Sequence, residues 1–334
     1  MLAVLLRGPR EVAVEEVPDP EPPPGWVKLA VRAVGICGTD KAMYTGAYRP
    51  PRLPLIPGHE VAGIVDEVGE GISPDLIGKL VVPEINITCG RCWFCTHGLR
   101  EHCLNRRAIG ISADGGMAEY LVVPAENIHL AEGLSPSEAA FAEPLAAVLK
   151  MLVLEPPRPG CSVAVLGIGT LGLLAIQIIR RCAPDLLVAI ARPGSPKARL
   201  ARSLGADEVL TPDEAEELVK NSLPGKGFDY VVEATGSTSG LDLAIKLARP
   251  RGVVAVKSTH GRPTTINATL VAVKELRIVG SRCGPFEPAL RLLREGAVRV
   301  RELVTATYRL EEAREAFETS LRREHVKVQV MPGH

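Results

Sequence analysis

The sequence predicts an α/β protein, with a β-rich first part followed by a doubly wound parallel sheet of six strands. Three observations carry this: the pattern changes from strand to helix near Ser135, strands alternate with helical stretches from Cys161 onward, and a glycine-rich turn joins the first strand of that alternation to its helix. In the first third, residues 2–7 and 26–36 are β-rich, as are 63–68, 79–83 and 118–123. The segment Pro18-Asp19-Pro20-Glu21-Pro22-Pro23-Pro24-Gly25 is a surface loop, because prolines remove the backbone donors a sheet needs. At Ser135-Pro136-Ser137-Glu138 an N-cap oxygen, a proline at the first helical position and a Glu that can reach back form a capping box, so a helix starts there. Pro144 interrupts the helical pattern over 138–154. It predicts a break at Glu143, which leaves that carboxylate at a bend rather than on a solvated face.

From Cys161 the expected strands are 162–166, 186–191, 207–210, 228–234, 252–257 and 276–280, with helices at 171–182, 196–204, 212–218 and 240–247. Past Pro285 come helical patterns at 289–295 and 310–321 and a strand at 326–330, a tail too short to be a domain and expected to return to the first one. The domains are therefore placed at 1–150, 151–285 and the returning segment 286–334.

Composition narrows the function. In 334 residues there are 39 Lys+Arg against 39 Asp+Glu, a formal net charge of zero, so no electrostatic footprint favours nucleic acid or an anionic membrane. A near-neutral protein associates readily, and a homo-oligomer, dimer or tetramer, is expected. The apolar run before Arg7 is too short for a secretion signal or a membrane span, and the chain reads as cytoplasmic.

Gly167-Ile168-Gly169-Thr170-Leu171-Gly172 fits the G-x-G-x-x-G pattern, and it lies where that pattern has meaning, after one strand and opening a helix. The first glycine makes the tight turn, the second lets the backbone approach a pyrophosphate, and the third lets helix and strand pack. The helix N-terminus then offers free N–H groups to the phosphates of a dinucleotide. After the second strand of this unit an NAD site would carry an acid; here stands Ala191-Arg192-Pro193-Gly194-Ser195-Pro196-Lys197. Arg192, helped by Ser195 and Lys197, suits a 2′-phosphate, so NADP is expected, with NAD possible if Arg192 only stacks on the adenine. Thr235 and Arg282 are further candidates for contacting the cofactor.

Four of the eight cysteines fall within fifteen residues, at Cys89, Cys92, Cys95 and Cys103. Four thiolates with no spare position are the ligand set of a closed structural zinc site. His97 and His102 are read as surface residues beside it. A nucleic-acid-binding zinc ribbon would bring a basic surplus that this chain lacks. Cys161, Cys182 and Cys283 are read as packing residues, and Glu311 to Glu315 as a solvated helix face. Taken singly, Cys37 at a strand end reads as a core residue and His59 as a satisfied surface or core histidine, and their spacing alone does not overturn that.

The strings Val34-Gly35-Ile36-Cys37-Gly38-Thr39-Asp40, Pro57-Gly58-His59-Glu60-Val61-Ala62-Gly63, the four-cysteine lobe, Gly115-Gly116-Met117-Ala118-Glu119-Tyr120 and Ala142-Glu143-Pro144-Leu145, together with the glycine turn, resemble the zinc-dependent medium-chain alcohol dehydrogenase family. They occur in the family's order along essentially the whole chain. Glu-Pro-Leu at Glu143 is similar to the polyol, sugar and threonine dehydrogenase branch rather than to members with a cysteine there. The resemblance implies a GroES-like catalytic domain, a Rossmann domain and two zinc ions per chain. Cys37 and His59 are implied as ligands of the catalytic ion, with Glu60 and Glu143 completing the shell directly or through water. It further implies hydride transfer from a zinc-bound alkoxide to the nicotinamide, with Thr39 as the first member of a proton relay.

One departure is Ala42, where many members carry a histidine that receives the relayed proton. The exit is then through water or a neighbour such as Lys41 or Tyr44. Asn86 and His260 are polar candidates for substrate contact. The expected activity is NADP-linked oxidation of a secondary alcohol, polyol or aldose. L-threonine 3-dehydrogenase and plain alcohol dehydrogenase are the alternatives within the family, and a non-enzymatic zinc and nucleotide-binding module the alternative outside it.

Overall fold

The computed structural model describes residues 1–333. It divides into two compact units, one made of Met1–Ala146 with the chain from Pro285 onward, the other of Ala147–Gly284. The first division falls inside the helix Ala142–Leu154, where an unbroken helical sequence gives no punctuation to read.

In the first unit the sheet runs in the order Val304–Arg309, Lys327–Met331, Trp26–Gly35, Glu60–Val68, Leu80–Pro83, Ile128–Leu130, and Tyr120–Pro124 also pairs with Trp26–Gly35. Trp26–Gly35 lies inside this sheet, so Val27, Leu29, Val31, Ala33 and Val34 are all buried. At its end, Gly35 lies opposite Glu60 on one neighbour and opposite Gln329 on the other, and the Ile36 N–H donates to Val328 O at 2.9 Å. The end of Trp26–Gly35, the start of Glu60–Val68 and the middle of Lys327–Met331 therefore meet where the chain leaves Gly35.

There the helix Gly38–Thr45 begins, capped by Cys37 and closed by Gly46 in the left-handed region at φ +77°. It is absent from the sequence expectation, because its eight residues carry no apolar period. The capping box at Ser135 and Glu138 is present, but it opens only the one-turn helix Pro136–Ala139. The expected break at Glu143 is corrected: it falls just before Ala142, and Glu143 and Pro144 occupy the first turn of Ala142–Leu154. A proline costs nothing there, since first-turn N–H groups have no helical partner, and a carboxylate is favoured by the helix dipole.

The second unit is a six-stranded, all-parallel sheet in the order Glu208–Leu210, Leu186–Ile190, Ser162–Leu166, Phe228–Glu233, Ala248–Val256, Arg277–Gly280. This is the doubly wound Rossmann arrangement, with the glycine turn following the central strand. Its core packs Ala164, Leu166, Val188, Ile190, Val231 and Val254 against Ala215, Ala244 and Leu247 of the helices. The helix Ala268–Val273 is missing from the sequence expectation; half of it is β-branched, which lowers its helix signal. Among the described residues no helix is long and apolar enough to cross a membrane.

Candidate active site and metal centres

The helix cap brings the dispersed residues of the first unit together. Asp40, the third residue of Gly38–Thr45, is completely buried; its Oδ2 accepts the Cys37 N–H at 2.8 Å and its Oδ1 accepts the Gly58 N–H at 3.2 Å. One carboxylate thus ties the Cys37 turn to the loop carrying His59. Gly58 is required in that loop: its φ is +93°, and a Cβ would lie 2.6 Å from Val34 Cγ1.

His59 is 3% exposed, and its Nδ1 has no hydrogen-bond partner among the described residues; Asp40 Oδ1 stands 3.8 Å away. Burial alone would lower the imidazole pKa, but Asp40, the hydrogen-bonded Cys37 and Glu143 outweigh it and hold His59 well above its usual value. Cys37, His59 and Glu143 therefore share one neighbourhood. Burial also pushes the Asp40 carboxyl up, in spite of His59 and the two N–H donors.

The acidic groups Cys37, Asp40 and Glu60 face one buried ammonium, Lys327, which bonds Glu60 Oε2, and Glu143 adds its charge on the His59 side. Such a surplus of acceptors around an unsatisfied imidazole is the environment a divalent cation fits, with a thiolate, an imidazole and a carboxylate as its protein ligands. The set is looser than the four-cysteine cluster. Among the described residues only Cys89, Cys92, Cys95 and Cys103 place all their ligand atoms within 4.8 Å of one another.

In that lobe Cys92 and Cys95 sulfurs are 3.5 Å apart, as are Cys89 and Cys103. The N–H groups of Arg91 and Cys92 bring the Cys89 thiol down to about 6, toward the thiolate a metal needs. His97 is exposed, stacked on Trp93 at 4.2 Å and bonded to its carbonyl; His102 is exposed beside Phe94.

Thr39 is half-buried in the helix's first turn, and its hydroxyl makes no hydrogen bond among the described residues. Tyr44, one of the candidates for the proton exit, donates instead to Glu318 Oε1 at 2.7 Å and stacks on Phe317. Asn86 is buried in a short strand and accepts from Arg106 at 2.8 Å; His260 is engaged with Thr264 and the Arg262 N–H.

In the second unit the three glycines differ as their tasks do. A Cβ on Gly167 would lie 2.7 Å from Ala234 O, and one on Gly172 would overlap Gly167 O, whereas one on Gly169 would meet nothing. The middle of the turn is open, and the helix Thr170–Arg180 starts behind it, with Thr170 and Leu171 at its first positions. The Gly167 N–H donates to Ile190 O at 2.9 Å, which sets the turn beside the end of Leu186–Ile190. Just beyond lies Arg192, exposed, its guanidinium without a partner among the described residues. The Ser195 N–H closes a turn onto its carbonyl, and Lys197 caps Ala198–Ser203. Thr235 is held by Glu233 through its N–H and hydroxyl; Arg282 is exposed.

Asp40 and Lys327 are the residues that sequence reasoning left without a role. For Asp40 a signal existed, since an acid at the third position of a capped helix reaches back to the cap. For Lys327 none did, because its partner lies 267 positions away.

Residues 23–133 match the alcohol dehydrogenase GroES-like domain and residues 170–295 the zinc-binding dehydrogenase domain. The chain is 32% identical to a sorbitol dehydrogenase of Halalkalibacterium halodurans, over 97% of each chain. It is 34% identical to an L-threonine 3-dehydrogenase of Pyrococcus horikoshii, over 91% of this chain and 90% of that one. Among solved structures, a zinc-binding dehydrogenase from Sinorhizobium meliloti bound to NADP superposes with a TM-score of 0.90 at 33% identity, over 99% of both chains. With two dehydrogenase domains matched in order and relatives aligned along nearly its whole length, the protein belongs to the zinc-type medium-chain alcohol dehydrogenase family and is a zinc-dependent, nicotinamide-linked oxidoreductase.

Proposed function

We propose that the protein oxidises a secondary alcohol, polyol or aldose with NADP as the preferred acceptor, and that Cys37 and His59 hold the catalytic zinc, with Glu60 and Glu143 completing the shell directly or through water. The observation that carries this reading is the convergence of Cys37 and Glu143 on His59, whose Nδ1 lacks a hydrogen-bond partner among the described residues, organised by Asp40. Zinc there supplies Lewis acidity that lowers the pKa of a substrate hydroxyl, and the nicotinamide takes up the hydride. The chain does the rest. Asp40 orients His59 and fixes the Cys37 turn. Thr39 receives the hydroxyl proton on Oγ1 and passes its own onward; a threonine is too weak a base to keep it. Since Tyr44 is engaged with Glu318, the proton leaves through water or Lys41.

The open turn at Gly169 and the N-terminus of Thr170–Arg180 bind the pyrophosphate, and Arg192, with Ser195 and Lys197, binds the 2′-phosphate. Thr235 and Arg282 would be further contacts to the cofactor. The second zinc sits in the four-thiolate lobe, giving two per chain. The catalytic domain spans 1–150 with the return segment 286–334, and the cofactor domain 151–285. We place the protein in the cytoplasm, where its eight unbridged thiols stay reduced, as a homo-oligomer. Supporting association, the sheet edge Arg277–Gly280 has no further strand on its outer side among the described residues, with Ile278 and the nearby Val273 exposed.

The test is reduction of NADP and NAD over a panel of simple alcohols, polyols, aldoses and threonine, with and without a chelator. Chelator-sensitive reduction of NADP by a polyol or aldose is expected. Threonine is in the panel because L-threonine 3-dehydrogenases are as similar as sorbitol dehydrogenases, and oxidation of threonine in preference to polyols would move the reading there. No reduction by any of them would sink it.

A further inference from the structure

The Rossmann unit holds a second cavity, of about 540 Å³, at the N-terminal ends of its strands, the end of the sheet opposite the glycine turn. Four arginines line it, Arg158, Arg249, Arg251 and Arg277, against three acids, Glu155, Asp229 and Glu275. In doubly wound sheets the cofactor binds at the strands' C-terminal ends, so this cavity lies outside the dehydrogenase chemistry.

The strand register builds one wall of it. Phe228 pairs with Ala248 and Tyr230 with Val253, so a single residue, Asp229, stands opposite four, Arg249-Pro250-Arg251-Gly252. Those four loop out of the sheet and carry two of the guanidiniums to the cavity. The excursion is tightly packed: a Cβ on Gly227 would lie 2.4 Å from Arg249 N, and one on Gly252 would lie 2.8 Å from Arg249 O. Arg251 is held in the left-handed region at φ +60°, its N–H donating to Lys274 O at 2.6 Å, and its ionic partner Glu275 is left-handed as well, at φ +50°. Backbone strain of this kind, in two facing residues, is characteristic of ligand clamps.

Each acid pairs with one arginine: Asp229 Oδ1 with Arg249 Nε at 2.6 Å, Glu275 Oε2 with Arg251 Nε at 3.0 Å, and Glu155 Oε1 with Arg277 Nη2 at 3.1 Å. Asp229 spends its other oxygen on the Ser162 N–H and hydroxyl, at 2.8 and 2.7 Å. The carboxylates therefore orient the arginines without using them up. Among the described residues Arg249 keeps Nη2 without a partner, Arg251 both Nη atoms, and Arg277 Nε and Nη1. Arg158 is exposed and its guanidinium has no partner among the described residues, which leaves the cleft one positive charge in surplus.

Planar N–H forks converging from separate segments of the chain fit the oxygens of a phosphate group. The volume is that of a small-molecule pocket and not of a bare ion, and Tyr230 and Val253, 2% and 5% exposed, give it an apolar floor. We propose that this cleft is a second ligand site, separate from the cofactor site, that binds a phosphomonoester: Arg158, Arg249 and Arg251 hold the phosphate, and the organic part lies over Tyr230 and Val253.

Titration calorimetry tests this on the zinc-loaded enzyme saturated with whichever nicotinamide cofactor it takes up, so that the glycine turn is already occupied. The probes are phenyl phosphate and AMP, with sulfate at equal ionic strength as the comparison. Saturable binding of one probe molecule per chain is expected, at least about tenfold tighter than sulfate. Arg158→Ala and Arg251→Ala, both at exposed side chains, should each weaken it about tenfold, the scale of one charge-assisted contact. Tm, zinc content and cofactor affinity should stay as in the wild type. Tighter binding of AMP than of phenyl phosphate assigns the ligand to the nucleotides, and equal binding assigns it to phosphorylated metabolites at large. No saturable binding up to about 10 mM, binding matched by sulfate, or binding that survives in the Arg158→Ala/Arg251→Ala double variant overturns the site.

Discussion

Replacing Asp40 by alanine should disassemble the metal site without touching a ligand. The carboxylate accepts two backbone N–H groups, from Cys37 at 2.8 Å and Gly58 at 3.2 Å, at a position with no solvent exposure. Each such bond to a charged group contributes about 1.5–3 kcal/mol, and its loss leaves a buried donor unpaired. Part of that is offset, because burial makes the ionised carboxylate costly, as its raised pKa indicates. A net loss of about 2–4 kcal/mol remains, or about 5–10 °C in Tm for a unit of this size. Catalytic zinc affinity should fall about 10–100-fold, since Cys37 and His59 no longer share an anchor. Differential scanning calorimetry and chelator competition measure the two effects. Asp40→Asn, which keeps one acceptor, should fall between. An Asp40→Ala protein that melts like the wild type and retains both ions equally well would refute the reasoning.

Thr39→Ala should lower turnover by about 100-fold or more while zinc content stays normal, because it removes a proton acceptor and no ligand; unchanged turnover removes Thr39 from the relay. Arg192→Ala should raise KM for NADP by about 10–100-fold and leave that for NAD nearly unchanged, as expected for one charge-assisted contact to phosphate; equal effects on both cofactors would contradict the assignment. His129 bridges Glu84 and Glu287, each at 2.9 Å, and stacks on Phe286. Burial lowers its pKa, but hydrogen bonds to the two carboxylates outweigh this and raise it. A raised pKa means the bridge contributes in full below about pH 6.5 and fades as pH rises through the higher folded value. His129→Gln should therefore cost about 1 kcal/mol near pH 6 and less near pH 9; a melting difference independent of pH would refute the bridge.

How much of the molecule is legible in the sequence depends on the range of the interactions involved. The parallel sheet was legible because each strand, turn and helix carries a local pattern, and so was the thiolate cluster, whose members lie within a single loop. The first unit was harder. Its helix Gly38–Thr45 has no apolar period, and Pro144 suggested a break that the chain makes before Ala142, since a first-turn proline breaks nothing. The roles of Asp40 and Lys327 depend on contacts across 18 and 267 positions, which only the strand register around Gly35 creates. Periodicity and spacing leave no trace of such contacts.

The most direct test is to measure zinc content and nicotinamide reduction together in a His59→Ala variant. The expected result is a folded protein with one zinc per chain, in the four-thiolate lobe, that retains cofactor binding and has lost turnover. Two zinc ions and ordinary turnover in that variant would contradict it.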